Sequence, residues 1–478
     1  MKSKYKHFYN KAPIEFIQKF EKGYSGDLKS RSSYLNNLKN VDLKLENDEV
    51  VLDFKTINKK AKKSIVWNDR VFRDVTFKIP KYDFFVEKLY CWSWDYSGFT
   101  NLIYTKGFKN DKRKYFKFII PLKKRIDFHY QLERLNFKSE YVSWSRNASS
   151  INLEDEDIYI LQEKVKLKGE DYYYLIIESN KKQLFSEFNK KVFSVRVALG
   201  YITGDFRGNK AYVFSYRNKK RNKIVGVLYQ TLRKDMKSFY QPVNSNPYAW
   251  LHSVQNRKKA KSIYNKHELR TLTQTEFSSL FKVCFNNDRF LGILLLMIET
   301  GKNSLLISPI TYFVALEQFS GIVIKDKPIP PIKDKKDFKY LKTGLQNVVI
   351  KYENTRIKKD DDLSPIKNRI DNLNQGTNND KLKSCFNKLN INLLSSDREV
   401  IKARNIFLHG DIPNYRKKKN RSINDKDLDM YYTSIRIYTL LNMLILKYVG
   451  YDNYVINFPK IYEKNTGYVV NEDYYRKV

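Results

Sequence analysis

The chain has 478 residues, 42% of them hydrophobic and 15% aromatic, with only 17 Gly and 12 Pro. That is enough for two or three cores, and it excludes wholesale disorder, collagen-like repeats and Pro-rich low complexity. The 90 Lys and Arg outweigh 52 Asp and Glu, a net charge of +38 that points to a polyanion such as nucleic acid, although the Lys-, Asn-, Tyr- and Ile-rich composition also fits AT-rich codon use.

From Val50 to about Leu228 the pattern is mostly short. Val50 to Phe54, Tyr115 to Ile120, Tyr172 to Ile177 and Ala211 to Phe214 are β-branched and aromatic runs of strand length. Val192 to Ala198 alternates apolar and polar residues and reads as another strand, after a helical stretch over Lys182 to Lys190. Gly98, Gly107, Gly169 and the stretch Gly204 to Asn209 are turn signals. The run Arg217 to Lys223 suits a charged hairpin turn better than a nucleic-acid groove. Trp92 and Trp94 suit a β-domain core better than a base-stacking platform.

Asn244 to Asn265 reads as a transition, and after it the period becomes helical. Leu272 to Thr300 places Phe277, Leu280, Phe281, Cys284, Leu291, Leu294 and Ile298 at helical spacing, started by a Thr273/Glu276 capping box. Pro309 opens a second helix through Phe313, Leu316 and Glu317 to Gly321. Lys325 to Lys339 reads as a Pro-containing loop, and Asp360 to Asp380 as a polar, mobile insertion. Ser396 with Glu399 is a second capping-box spacing, opening a helix that runs to His409, with Gly410 at its C′ position and Pro413 beyond. A final helix covers about Leu428 to Val449. The expected fold class is therefore α+β, with a β-rich domain over residues 1–255 and an all-α bundle over 256–478.

The three cysteines, Cys91, Cys284 and Cys385, are too scattered for a disulfide framework and suit a reducing, cytoplasmic setting. His7, His129, His252, His267 and His409 form no short metal motif. Met1 to Asn10 lacks an apolar signal core, Leu291 to Ile298 is short, and Asn442 and Lys447 interrupt Leu440 to Val449, so no targeting or membrane segment is expected.

One constellation carries chemistry. Arg404-Asn405-Ile406-Phe407-Leu408-His409-Gly410 is R-x4-H with Asn directly after Arg, closing a capped helix. On an ideal helix Arg404 and His409 lie about 140° apart. His409 is the last helical residue, so its side chain can swing toward an anion that the long Arg404 guanidinium also reaches. The basic run Arg416, Lys417, Lys418, Lys419, Asn420 and Arg421 follows within seven residues of His409 and is a candidate RNA-binding rim, or a solvated loop.

At these residues the chain resembles the HEPN superfamily (higher eukaryotes and prokaryotes nucleotide-binding), whose ribonuclease members carry R-N-x3-H near the end of a bundle helix. The resemblance covers about Leu272 to Tyr448, helped by Val314-Ala315-Leu316-Glu317 in an earlier helix. Within the superfamily it looks most like the ApeA-like and abortive-infection proteins, which place a β-rich domain before the bundle. Here Leu199 to Gly204 is the first segment to compare. The resemblance implies a metal-independent endoribonuclease without a cofactor, acting as a homodimer on RNA in anti-phage defence, with the N-terminal domain sensing a phage-derived trigger. Arg404, His409 and Asn405 would form its site, and Glu317 would orient Arg404. The alternatives are a non-catalytic nucleic-acid-binding or adaptor protein that uses the bundle to dimerise, and a regulator of a toxin–antitoxin pair.

Overall fold

The computed structural model describes residues 11–32, 35, 37–54, 70–91, 97–108, 112–133, 135, 148–167, 169–237, 240–249, 257–301, 307–324, 330–355, 362–374 and 378–478. Trp92 and Trp94 lie outside them. The chain divides into two compact units, Met1–Lys302 with Val449–Ile456, and Asn303–Tyr448 with Asn457–Val478. The architecture is α+β, a β-barrel and sheet followed in sequence by helices.

In the first unit, strands β1 (Tyr24–Lys29), β2 (Leu38–Glu46), β3 (Glu49–Asp53), β4 (Arg70–Ile79), β5 (Tyr82–Cys91) and β6 (Ser97–Thr100) close into an antiparallel ring in the order β4-β1-β2-β3-β6-β5, since β4 also pairs with β5. From β5 the sheet continues through β7 (Leu102–Thr105), and the later strands are β8 (Tyr115–Leu122), β9 (Ala148–Asn152), β10 (Asp157–Leu167) and β11 (Glu170–Ser179). Short strands β12 (Asp205–Phe206) and β15 (Met236–Lys237) pair with each other, while β13 (Lys210–Tyr216) and β14 (Ile224–Thr231) join the main sheet, which runs on as β7-β14-β13-β8-β11-β10-β9. Helix α1 (Lys11–Glu21), which sequence patterning did not reveal, buries Pro13, Ile14, Phe16, Ile17 and Phe20. Phe16 packs edge-on against Phe214, and Phe20 against Phe84 and Tyr212, so one aromatic cluster serves both ring and sheet.

The expected strands at Val50, Tyr115, Tyr172 and Ala211 are present as β3, β8, β11 and β13, and Arg217 to Lys223 is the turn between β13 and β14. Val192 to Ala198 is not a strand. It lies inside helix α2 (Phe185–Thr203), where Val192, Val195, Val197 and Ala198 are all buried. A helix covered on nearly every side loses its 3.6-residue signature, and the β-branched residues then imitate a strand. Gly204, at φ +67°, ends it in the left-handed region.

Helices α3 (Arg257–Lys266), α4 (Gln274–Asn286) and α5 (Asp288–Thr300) belong to this first unit, so the compact units divide at Lys302/Asn303 rather than at 255/256. The reason is packing: α4 lies against β9 and α2, and Asn152 N–H donates to Ser278 Oγ at 2.9 Å. The Thr273/Glu276 capping box is present. The expected single helix over 272–300 breaks at Asn287, whose side chain caps α5 at Phe290 N–H.

The second unit is helical. Helix α6 (Ile307–Val323) packs on the long helix that opens at Ile423. Next come α7 (Lys335–Thr355), whose N-terminus the Asp334 carboxylate caps, then α8 (Ser364–Asp371) and α9 (Asn378–Lys388). Within the expected loop, residues 330–334 are not helical and α7 begins at Lys335, whereas most described residues of the expected insertion lie in α8 and the start of α9. Helices α10 (Ser395–Lys402) and α11 (Arg404–Leu408) replace the single helix expected over Ser396 to His409, and α12 is Ile423–Tyr448. The cap of α10 is also shifted: Asp397, not Glu399, reaches back, accepting Leu394 N–H at 2.9 Å.

Asp397 does more than cap. Its carboxylate takes two hydrogen bonds from Arg476 at 2.9 and 2.7 Å and one from Arg436 of α12 at 3.2 Å. Arg436 also donates to Glu472 at 2.8 Å and to the Tyr432 hydroxyl at 2.9 Å. Asp397 and Arg436 are fully buried. Burial alone would raise the Glu472 pKa, but hydrogen bonds and charge from Arg436 outweigh it and hold the carboxyl below its usual value. Replacing Arg436 by Ala leaves buried carboxylates short of a counter-charge, and the unfolding free energy of the bundle should fall by about 3–5 kcal/mol in urea titrations. Since the Glu472 pKa is depressed in the folded state, its contribution is complete above the unfolded value of about 4.3 and is lost as pH falls further through the folded value. An acid midpoint that does not move in Glu472→Gln would contradict this.

Candidate active site

Two helices build the site. On α6, Phe313 and Glu317 are four residues apart and share a face; on α11, Arg404 and Phe407 are three apart and do the same. The Phe313 and Phe407 rings pack at 5.9 Å, and this contact brings Arg404 Nε onto Glu317 Oε1. Arg404 Nη1 donates to Asn405 Oδ1 at 2.8 Å. Ala315 and Leu316 are buried beneath, while Val314 and Glu317 are partly open to solvent. Partial burial lowers the Arg404 pKa from its usual value, and the guanidinium remains charged.

His409 caps the other end of the same short helix. Its N–H donates to Asn405 O at 3.1 Å and Ile406 O at 3.2 Å, and Gly410 follows at φ +82°, the left-handed conformation expected of it. The His409 side chain is exposed, as are Asn405 and Ile406. The structure thus joins Arg404, Asn405 and Glu317 by direct contacts and places His409 one turn away at an open helix end. A break at Ala403 separates α10 from α11, so the α11 axis is set by its contacts with α6 as well as by α10.

The basic run divides. Arg416 donates to Thr466 O at 2.5 Å and lies over the Tyr468 ring at 4.3 Å. Arg421 donates to Ile412 O, Pro413 O and the buried Asp429 carboxylate, at 2.9, 2.6 and 2.6 Å. Both arginines hold the loop against α12 and the C-terminal segment. Lys417, Lys418 and Lys419 are exposed, with Lys418 paired to Asp425 at 2.7 Å. Only the three lysines present charge outward. Sequence spacing could not separate them from the arginines, because the fold decides that Arg416 reaches the distant Thr466 carbonyl and that Arg421 turns in to Ile412 O, Pro413 O and Asp429.

Among the described residues, no three His, Cys, Asp or Glu side chains gather as a metal site, and no helix is long and apolar enough to cross a membrane. No family model, curated protein or solved structure matches the chain.

Three variants separate these roles. Phe407→Ala should cost about 3–5 kcal/mol by opening the contact under Arg404. Arg421→Ala should cost about 3 kcal/mol or more, since it removes the guanidinium that neutralises Asp429. Lys417→Ala with Lys419→Ala should stay within about 0.5 kcal/mol of the parent. Denaturant midpoints measure all three, and a severe loss in the lysine variant would contradict the division.

Proposed function

We propose that the protein is a metal-independent endoribonuclease of HEPN type, the effector of an anti-phage defence system. The observation that supports this best is the Arg404–Asn405 pair, braced by Glu317, at the base of a short exposed helix that ends in His409. The residue types suit cleavage by the ribose 2′-OH. A histidine base takes the 2′-OH proton as the oxygen attacks the adjacent phosphate, and a histidine acid protonates the leaving 5′ oxygen. Arg404 neutralises the phosphorane, where fixed charge counts most. Glu317 is a positioning residue, and Asn405 holds the guanidinium or a phosphate oxygen.

Acid and base are most simply supplied by two chains, so we read the active form as a two-fold dimer with α11 facing its counterpart. The exposed Ile406 and Val314, beside Asn405 and Glu317, support this as apolar surface at the site. In this reading RNA is the substrate, the N-terminal unit senses a phage-derived trigger, and the protein works in the cytoplasm. One observation favours the rival reading, a nucleic-acid-binding or adaptor protein: Glu317 and Asn405 already engage Arg404, as a purely structural arginine would be engaged.

His409→Ala and Arg404→Ala should each abolish cleavage of a labelled RNA while thermal transitions stay within a few degrees. Cleavage that persists in both would defeat the assignment. Mixing the two inactive chains should restore part of the activity if one site draws on both, and full activity from a sedimentation-verified monomer would refute the composite site. Neutralising Lys417, Lys418 and Lys419 should weaken RNA binding and flatten its salt dependence by up to about 0.7 in log–log slope per lost single-strand phosphate contact. It should leave the rate at saturating RNA nearly unchanged; matching salt slopes would make the run a solvated loop.

A further inference from the structure

Helix α7 is a different kind of surface. None of its 21 residues is buried. Yet Phe338, Leu341, Leu345, Val348 and Tyr352 recur at alternating steps of three and four, the a and d positions of successive heptads. Leu341, Val348 and Tyr352 are 40%, 66% and 53% exposed, and Tyr340 at the edge of the row is 86% exposed. Phe338 and Leu345 of this row are half-buried, whereas Leu341, Val348 and Tyr352 stay open beside the neighbouring α8. Helix α8 meets α7 through Lys342–Asp371 at 3.0 Å, Gln346–Asp371 at 3.1 Å and Glu353–Lys367 at 2.8 Å. At 100° per residue, Lys342, Gln346 and Glu353 centre about 120° away from Leu341, Val348 and Tyr352. A helix with no fully buried residue gains little from propensity alone, so its open apolar side chains call for a partner.

Charge selects the partner. The pairs Lys342–Asp371 and Lys367–Glu353 cancel, which leaves Lys335, Lys336, Lys339 and Lys351 against Asp337 on α7. Lys335 and Lys351 occupy e and g positions that flank the seam and choose what it pairs with, while Asp337 lies at another g and Lys342, at e, is already paired with Asp371. A second copy fits less well: parallel pairing sets Asp337 only against Lys342 of the other copy, a lysine already held by Asp371, and leaves Lys335 and Lys351 unanswered. An anionic bilayer fits poorly too, since Asp337, Glu353 and Asp371 stand beside a narrow row rather than below a broad apolar face.

We infer that α7 is a docking site for an acidic amphipathic helix of another protein, with apolar residues at its a and d positions and Glu or Asp at e and g. This inference is independent of Arg404 and His409.

The test uses the full chain and a labelled probe peptide of three heptads, Leu at a and d and Glu at e and g, beside a sister peptide with Lys at e and g. Fluorescence anisotropy should show the Glu peptide binding at least tenfold tighter than the Lys peptide. Leu341→Asp with Val348→Asp alters only exposed side chains and should lower that affinity at least tenfold with the circular dichroism unchanged. Lys335→Glu with Lys351→Glu should shift the preference toward the Lys peptide. Equal affinity for both peptides, or none for either, overturns the inference. So does self-association in sedimentation that Leu341→Asp abolishes, which would make the occupant a second copy. Capture by phosphatidylserine-containing vesicles without peptide binding would make it a membrane.

Discussion

The bundle depends on one buried set of charges. Asp397, Arg436, Arg476 and Glu472 tie α10, α12 and the C-terminal segment together where no apolar contact could specify so exact a register. Each charge is costly to bury alone, and the set is tolerable because each carboxylate receives several donors. The consequence for the site is positional. Asp397 fixes the start of α10, and Arg404 opens α11 seven residues later, so the reach of Arg404 and His409 follows from a network that touches neither.

The site itself divides fixed from free. Phe313 and Phe407 hold the two helices, Glu317 and Asn405 hold Arg404, and the His409 side chain is left open at a helix end that Gly410 terminates. A braced guanidinium loses little freedom when it meets a phosphate, whereas an exposed imidazole can turn toward substrate or toward a second chain. The basic loop divides in the same way. Arg416 and Arg421 are engaged in the fold, and the intervening lysines face solvent, Lys418 paired with Asp425.

Much of this was legible in the sequence, for identifiable reasons. Strands rich in β-branched and aromatic residues showed as short runs, as at Glu49–Asp53 and Glu170–Ser179, and helices with a capping side chain or a C′ glycine showed their ends, as at Thr273 and Gly410. Legibility failed where burial was complete or absent. Val192 to Ala198 is covered on both sides and imitated a strand, while the charged first turn of Lys335–Thr355, a helix with no buried residue, fell inside the stretch Lys325 to Lys339 read as loop. The Ala403 break and the Asp397 cap were hidden because tertiary partners decide them: α6 for the first, Arg436 and Arg476 for the second. In the site, the Arg404–Asn405–His409 spacing was visible at once, whereas the structural duty of Arg416 rests on the Thr466 carbonyl fifty residues away and that of Arg421 on how the loop folds back to Ile412, Pro413 and Asp429.

The central claim is that a ribose 2′-OH, activated by histidine and stabilised by arginine, breaks the RNA chain without a metal. End-group analysis of RNA cleaved by the purified protein in excess EDTA tests it most directly. The account predicts undiminished cleavage with 2′,3′-cyclic phosphate and 5′-hydroxyl ends. Products with 3′-hydroxyl and 5′-phosphate ends, or activity that EDTA removes and magnesium restores, would contradict it.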